Sequence, residues 1–420
     1  MMRYALAALG LIACGKVVPD SPDASIDIDA DPAGIVKVTV LDVVGNGAPT
    51  ANIPVVFLNP DGTVASDATT DSAGRAEARV LPGASVTAVW IQGTRTLVGT
   101  IVDVKPGDDL AIGFTRRDGS DNGNFAVTFP ALMGTEFYEI YTPCGSFGAM
   151  PGTTMVPLRN NCRRPTFDVY VVAFRNGFAS NYAEVQNVSL AAGAVTVPDV
   201  WRTTSSFSAT YTNVPAEIAE IRTERMSGSR NGFTVGGSGS PMNGLLSVFA
   251  NNVATAGARA IVRSSLIRND NALQTISQRV VGNAVNYTLD VGMQVAPWLT
   301  NVSFDLETRT IAPNVEGVLP STVYAADLQF SRDQLSFEWI VLAPTPAPIV
   351  LPTMPARVAQ VNPLSTDSVG AAVAVVVDVS SIKSWDEARA AGAFDLIDVG
   401  IQGDDAFDLV KSQFTFARPQ

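Results

Sequence analysis

Residues 48–80 read APTANIPVVFLNPDGTVASDATTDSAGRAEARV, and the alternation inside this stretch decides the fold class. Ile53, Val55 and Phe57 fall on one face of an extended chain, as Val36, Val38 and Val40 do in the VKVTV run just upstream. A period of two means half-buried strands. NPDG (59–62) and TDSAG (70–74) supply the reversals, with proline and aspartate where the chain turns and glycine where φ must be positive.

These residues resemble the core of bacterial Ig-like and carboxypeptidase-regulatory-type (transthyretin-like) domains, which show an apolar strand, PDG, T-D-x-x-G and a small-residue strand. The resemblance implies a β-sandwich over residues 35–115 whose motif residues are structural and carry no catalytic role.

The same texture continues. RRDGSDNGN (116–124) is a polar break. Asp118, Asn122 and Gly123 hint at a calcium loop, but Ser120 and Phe129 occupy two ligand positions, so the stretch reads as a linker. An internal repeat follows. FAVTFPALMGTEFYEIYT from Phe125 lines up with FSATYTNVPAEIAEIRT from Phe207, and YAEVQNVSLAAGAVTVPDV (182–200) lines up loosely with LQTISQRVVGNAVNYTLDV (273–291). Two units, 120–200 and 201–297, are expected, similar in spacing to fibronectin-type or Ig-like sandwiches.

Residues 298–420 are less regular and read as a C-terminal β domain. DLQFSRDQLSFEWIVLAP (327–344) gives two strands around a polar turn, and VGAAVAVVVDV (369–379) fits a buried strand. The proline-rich APTPAPIVLPTMP (343–355) reads as a linker or edge strand. SWDEARAAG (384–392) is the one clear helix, with Ser384 as cap, Glu387 completing a capping box and Gly392 as stop.

The N-terminus points to location. Arg3 precedes an apolar run, Ala5 to Ala13, which is too short to span a bilayer. Leu11, Ile12, Ala13 and Cys14 resemble the lipobox of bacterial lipoproteins. That resemblance implies a signal peptide over 1–13 and lipidation at Cys14, the acyl chains giving stable anchoring. Gly15 and Lys16, in place of an inner-membrane retention aspartate, point to the outer membrane. Residues 14–34 then form an acidic, disordered tether. Asp27, Asp29 and Asp31 match the first ligands of an EF-hand, but Pro32 and Val38 break the pattern.

Composition excludes several classes. The 420 residues are 46% hydrophobic with a net charge of −12, enough apolar content for real cores and no basic patch for nucleic acid. There is no histidine, which removes the commonest general base and the Ser-His-Asp arrangement. With Cys14 lipidated, Cys144 and Cys162 remain as an even pair in an exported chain, and a disulfide is expected.

GGSGS (236–240) fails as a nucleophile elbow at Ser240, and SSIK (380–383) with SDN (120–122) matches serine-enzyme fragments in the wrong order. Carboxylate-only glycoside hydrolysis survives elimination, with Asp305, Glu307 and Glu338 as carboxylates and Trp298 and Trp339 able to stack on a sugar. The stronger reading is that tryptophans in a sandwich are core and strand carboxylates face water.

The sequence therefore predicts an all-β chain of tandem Ig-like or fibronectin-like sandwiches after a lipoprotein signal peptide. The expected role is non-catalytic: binding, adhesion or structure at the cell envelope, with an envelope protein or glycan as partner and no cofactor or metal. Candidate loops are Gly145–Asn161 and Ser227–Gly244. The alternatives are an envelope glycan hydrolase or an accessory subunit of an envelope or export assembly.

Overall fold

The computed structural model describes residues 33–42, 48–114, 123–142, 145–158, 166–227, 233–252, 259–281, 285–402 and 407–417. Cys14, Cys144, Cys162, the acidic tether and most of the polar break lie outside the described residues. The described chain is all-β with a few short helices.

The first sandwich comprises β1 (Gly34–Asp42), β2 (Ala48–Pro49), β3 (Pro54–Leu58), β4 (Val64–Thr69), β5 (Arg75–Val80), β6 (Ala84–Gln92), β7 (Arg95–Val104) and β8 (Asp109–Phe114). One layer has the order β4-β3-β6-β7. In the other, β1 pairs antiparallel with β2 and β5 and parallel with β8. Alternation sends Val36, Val38 and Val40 inward against Val55, Phe57 and Ile101. The turn before β5 follows from its sequence: Asp71 Oδ1 accepts from the amides of Ala73 and Arg75 at 2.8 and 2.9 Å. Gly74 there has φ of 70°, and a Cβ would meet the Thr50 nitrogen at 2.8 Å.

Two further sandwiches repeat this connectivity. The second contains β9 (Asn124–Phe129), β10 (Phe137–Thr142), β11 (Gly145–Ala149), β12 (Gly152–Pro157), β13 (Thr166–Arg175), β14 (Phe178–Ser189), β15 (Ala194–Thr196) and β16 (Arg202–Thr203). The third contains β17 (Ser205–Thr212), β18 (Ile218–Ser227), β19 (Phe233–Gly239), β20 (Leu246–Asn252), β21 (Arg259–Arg268), β22 (Leu273–Val281) and β23 (Asn286–Asp290). In each, the first strand lies between an antiparallel and a parallel neighbour: β12-β9-β15 and β20-β17-β23. The opposing layers run β11-β10-β13-β14 and β19-β18-β21-β22. The two stretches expected as loops contain strands: β11 and β12 lie within 145–161, and β19 lies within 227–244. Small residues lower strand propensity but do not prevent pairing once a neighbouring ladder exists.

The outer face of the second sandwich is not solvent-facing throughout. Tyr170, Val172 and Tyr182 form a buried cluster there. The fully buried Arg225 of the third sandwich lies with its guanidinium 5.7 Å from the Phe207 ring and couples electrostatically to Tyr170. Desolvation pushes Arg225 down to about 10.

Residues beyond 290 form α1 (Val291–Gln294), β24 (Leu299–Asp305), β25 (Thr310–Val315), β26 (Val323–Arg332), β27 (Leu335–Ala343), β28 (Ile349–Val350), β29 (Ser368–Val379), α2 (Trp385–Ala390), α3 (Ala393–Gln402) and β30 (Leu409–Ala417). Ser384 caps α2 as its sequence predicts, accepting from the Glu387 amide, and Gly392 follows at φ of 87°. A second helix, α3, corrects the expectation of one. Its Ala393 and Leu396 are buried, and Phe394 and Ile397 pack beside them, so amphipathic burial sustains a segment that lacks a strong cap.

The C-terminal strands do not form a bead at the end of a string. β27 pairs parallel with β7 over seven residues, from Ser336↔Arg95 to Leu342↔Ile101. On its other flank β30 pairs antiparallel with β22 over six, from Leu273↔Phe414 to Gln278↔Leu409. The result is one twelve-stranded sheet in the order β19-β18-β21-β22-β30-β29-β26-β27-β7-β6-β3-β4. Val56, Leu58, Val89 and Val98 of the first sandwich share a core with Tyr324, Leu328, Trp339 and Val341. Burying such side chains contributes roughly 1.5–3 kcal/mol each relative to exposure, as an upper estimate.

Charged groups fasten both seams. Arg95 pairs with Glu338 at 2.5 Å. Arg389 of α2, nearly fully buried, holds Asp108 of the first sandwich at 2.9 Å and Asp386 at 2.7 Å. On the third sandwich Arg268 pairs with Glu316 at 2.7 Å. Gln413 accepts from the Leu299 amide and donates to the Pro297 carbonyl, both at 2.7 Å.

Candidate functional site

Strand alternation defines two faces of the large sheet. On one face α2 and α3 cover Val323, Ala325, Val375, Val377 and Val410. Along the same strands, past the helices, two large aromatics are partly exposed. Phe414 and Phe416 of β30 are 40% and 55% exposed, their rings 6.1 Å apart. Their cross-strand partners are Leu273 and Val375 for Phe414, and Val373 for Phe416. The row then turns polar. Val373 pairs with Asp327 of β26, whose carboxylate accepts from Gln329 at 3.1 Å, and Gln329 pairs with Glu338. A groove of about 300 Å³ opens at this polar end, lined by Arg95, Gln329, Ser331, Ser336, Glu338 and Gly370.

The chemistry available here is recognition by apolar contact and hydrogen bonding. The guanidinium of Arg95 is held by Glu338. Among the described residues, no three acidic or cysteine side chains gather in a way that could hold a metal ion.

The carboxylates singled out from sequence are scattered. Asp305 closes the β24–β25 turn, accepting from the amide of Glu307 at 2.8 Å, and these hydrogen bonds with those of Thr308 hold its carboxyl below the usual range. Glu307 belongs to that same turn in a three-stranded sheet, whereas Glu338 sits in the large sheet bound to Arg95. The two tryptophans are core residues, which leaves neither a face for a sugar. Trp339 is fully buried, and Trp298 is 4% exposed with the Arg268 guanidinium 5.2 Å from its ring. A large aromatic on a strand finds more free energy in a shared core than at a surface. Phe414, Phe416 and Arg95 were not singled out from sequence, because their exposure depends on where the helices end.

No family model matches the chain, and no curated protein matches it. Among solved structures it is similar to the Bacillus anthracis TIE protein, at 11% identity and a TM-score of 0.17, covering 62% of this chain and 51% of that one. The chain thus spans about half the length of that protein. It is also similar to a Bacteroides ovatus protein described as an adhesin, at 11% identity, TM-score 0.18 and coverage of 66% and 98%. The third is BcpA, the major pilin subunit of Bacillus cereus, at 11% identity, TM-score 0.16 and coverage of 61% and 98%. Scores this low carry no argument, and the all-β assignment rests on the strands themselves.

Proposed function

We propose that this chain is a non-catalytic component of a bacterial cell envelope, anchored by lipid at Cys14, whose interlocked body binds or braces an envelope partner. The observation that carries the reading is the fusion of first and third sandwiches through β27 and β30 into one sheet. That arrangement spends its conspicuous charged residues on holding sandwiches together rather than on a reaction centre. The partly exposed Phe414 and Phe416 and the adjoining groove are the surface on which a protein or glycan would rest. The anchor is supported by the order Leu11-Ile12-Ala13-Cys14 behind an apolar run.

The test is metabolic labelling with an alkyne fatty acid in a bacterial host, with detergent-phase partition of wild type and Cys14→Ser. Wild type should take the label and enter the detergent phase, and the variant should do neither. Label on the variant, or none on wild type, would overturn the anchor. Protease shaving of intact cells then assigns the body to the outside or to the periplasm.

A further inference from the structure

The chain enters the described body beside the C-terminal end of β7. The Gly107 amide, just past β7, donates to Ile35 O at 2.9 Å, and Lys37 N donates to Asp108 O at 2.9 Å. The chain leaves through β30. Since β27 is parallel to β7, and β26, β29 and β30 alternate in direction after it, β30 runs opposite to β7. The entry strand and the exit strand are therefore drawn in opposite senses along the strand axis when the two ends are pulled apart.

We propose that the body bears tension, and that the load between its N-terminal anchor and its C-terminal strands crosses the β7–β27 seam and bypasses the second and third sandwiches. This rests on the reading of an anchored envelope protein. The load enters at β1, passes through the core of the first sandwich to β7, and crosses to β27, β26, β29 and β30. Residues 124–290 hang beside this path and are not links in it. The axial part of the pull drags β7 and β27 past one another, so their seven residue pairs resist together rather than opening one at a time. Fully buried Trp339 and Val341, the Arg95–Glu338 pair and the Arg389 contacts to the first sandwich all oppose the same displacement. The Phe414–Phe416 row lies at the far end of this path, so a partner held there would load the same seam.

The experiment is single-molecule force spectroscopy on the chain from residue 14 to 420, tethered at both ends. One sample carries a site-specific protease sequence inserted within 116–123 and is measured before and after cutting. The first rupture should occur at the same force in both states. In the cut sample that rupture should end the tether, whereas the uncut chain should go on to extend. A first-rupture force that falls on cutting, or fragments that separate before any load, would overturn the proposal. Glu338→Gln, a change at the seam surface, should lower the first-rupture force, and an unchanged force with Trp339→Ala would also overturn it. Loss of lipid labelling would sink the anchor reading while leaving this mechanical result intact.

Discussion

The indole Nε1 of Trp339 donates to Thr100 Oγ1 at 2.9 Å, joining residues 239 apart in sequence, and Thr100 is in turn 2.9 Å from Thr87 Oγ1. This buried polar chain sits inside the seam between the first sandwich and the C-terminal strands. Trp339→Phe keeps most of the volume but removes the donor to Thr100, and should cost about 1 kcal/mol. Trp339→Ala should cost about 3–5 kcal/mol, because a cavity is added to the lost transfer energy. Urea unfolding followed by far-UV dichroism measures both.

Two buried arginines are placed differently. Arg389 has Asp108 and Asp386 as partners and donates to the Asp103 carbonyl at 2.8 Å. Its removal leaves a half-buried carboxylate behind, so Arg389→Met should cost about 2–4 kcal/mol. Arg225 lies 5.7 Å from the Phe207 ring and couples to Tyr170, across the second and third sandwiches rather than at the seam. A loss on Arg389→Met below about 1 kcal/mol in urea unfolding would contradict the assignment of Arg389 as the fastener.

Acid should weaken the β21–β22 turn of the third sandwich, where Arg268 donates to Asp270 at 2.8 Å. Arg268 holds Asp270 well below its ordinary 3.8, at about 2. A carboxyl depressed on folding stabilises the native state above its unfolded pKa, and that contribution is lost as pH falls through the folded value. The urea midpoint should thus drop between about pH 4 and about pH 2, and Asp270→Asn should make that drop shallower. A variant with the same acid profile as wild type would show the pair to be irrelevant to stability.

Cys144 and Cys162 are expected to be joined in protein recovered from an oxidising compartment. A thiol reagent should modify neither before reduction and both after it. Closing a loop of this size should add roughly 3 kcal/mol. Ready alkylation of the native, unreduced protein would exclude the bridge.

Much of the strand content was legible, because a period of two reports which residues turn inward. Val36, Val38 and Val40 are fully buried, and the run from 369 to 379 is a strand whose Val375 to Val379 segment is largely buried, as its apolar character implies. The Ser384 cap was equally legible, since capping is local. What sequence could not supply is the partner of each strand. Nothing in LSFEWIVLA (335–343) names RTLVGTIVDV (95–104) as its neighbour, yet that pairing buries Trp339 and occupies Glu338. Their residue types alone left a sugar platform and a catalytic carboxylate open beside the structural reading. Tertiary pairing then gave them structural work. The small-residue strands β11 and β19 were missed for a related reason, because their order comes from neighbours rather than from propensity.

Hydrogen exchange of the intact protein, read by mass spectrometry peptide by peptide, tests most directly whether the C-terminal strands make one body of the first and third sandwiches. Amides of β7, β27, β29, β30 and β22 should share one slow opening, and their exchange should accelerate in parallel as urea is added. If β7 exchanges with its own sandwich at one rate, and β27 with the C-terminal strands at another, the seam is not part of the cooperative fold and the account fails.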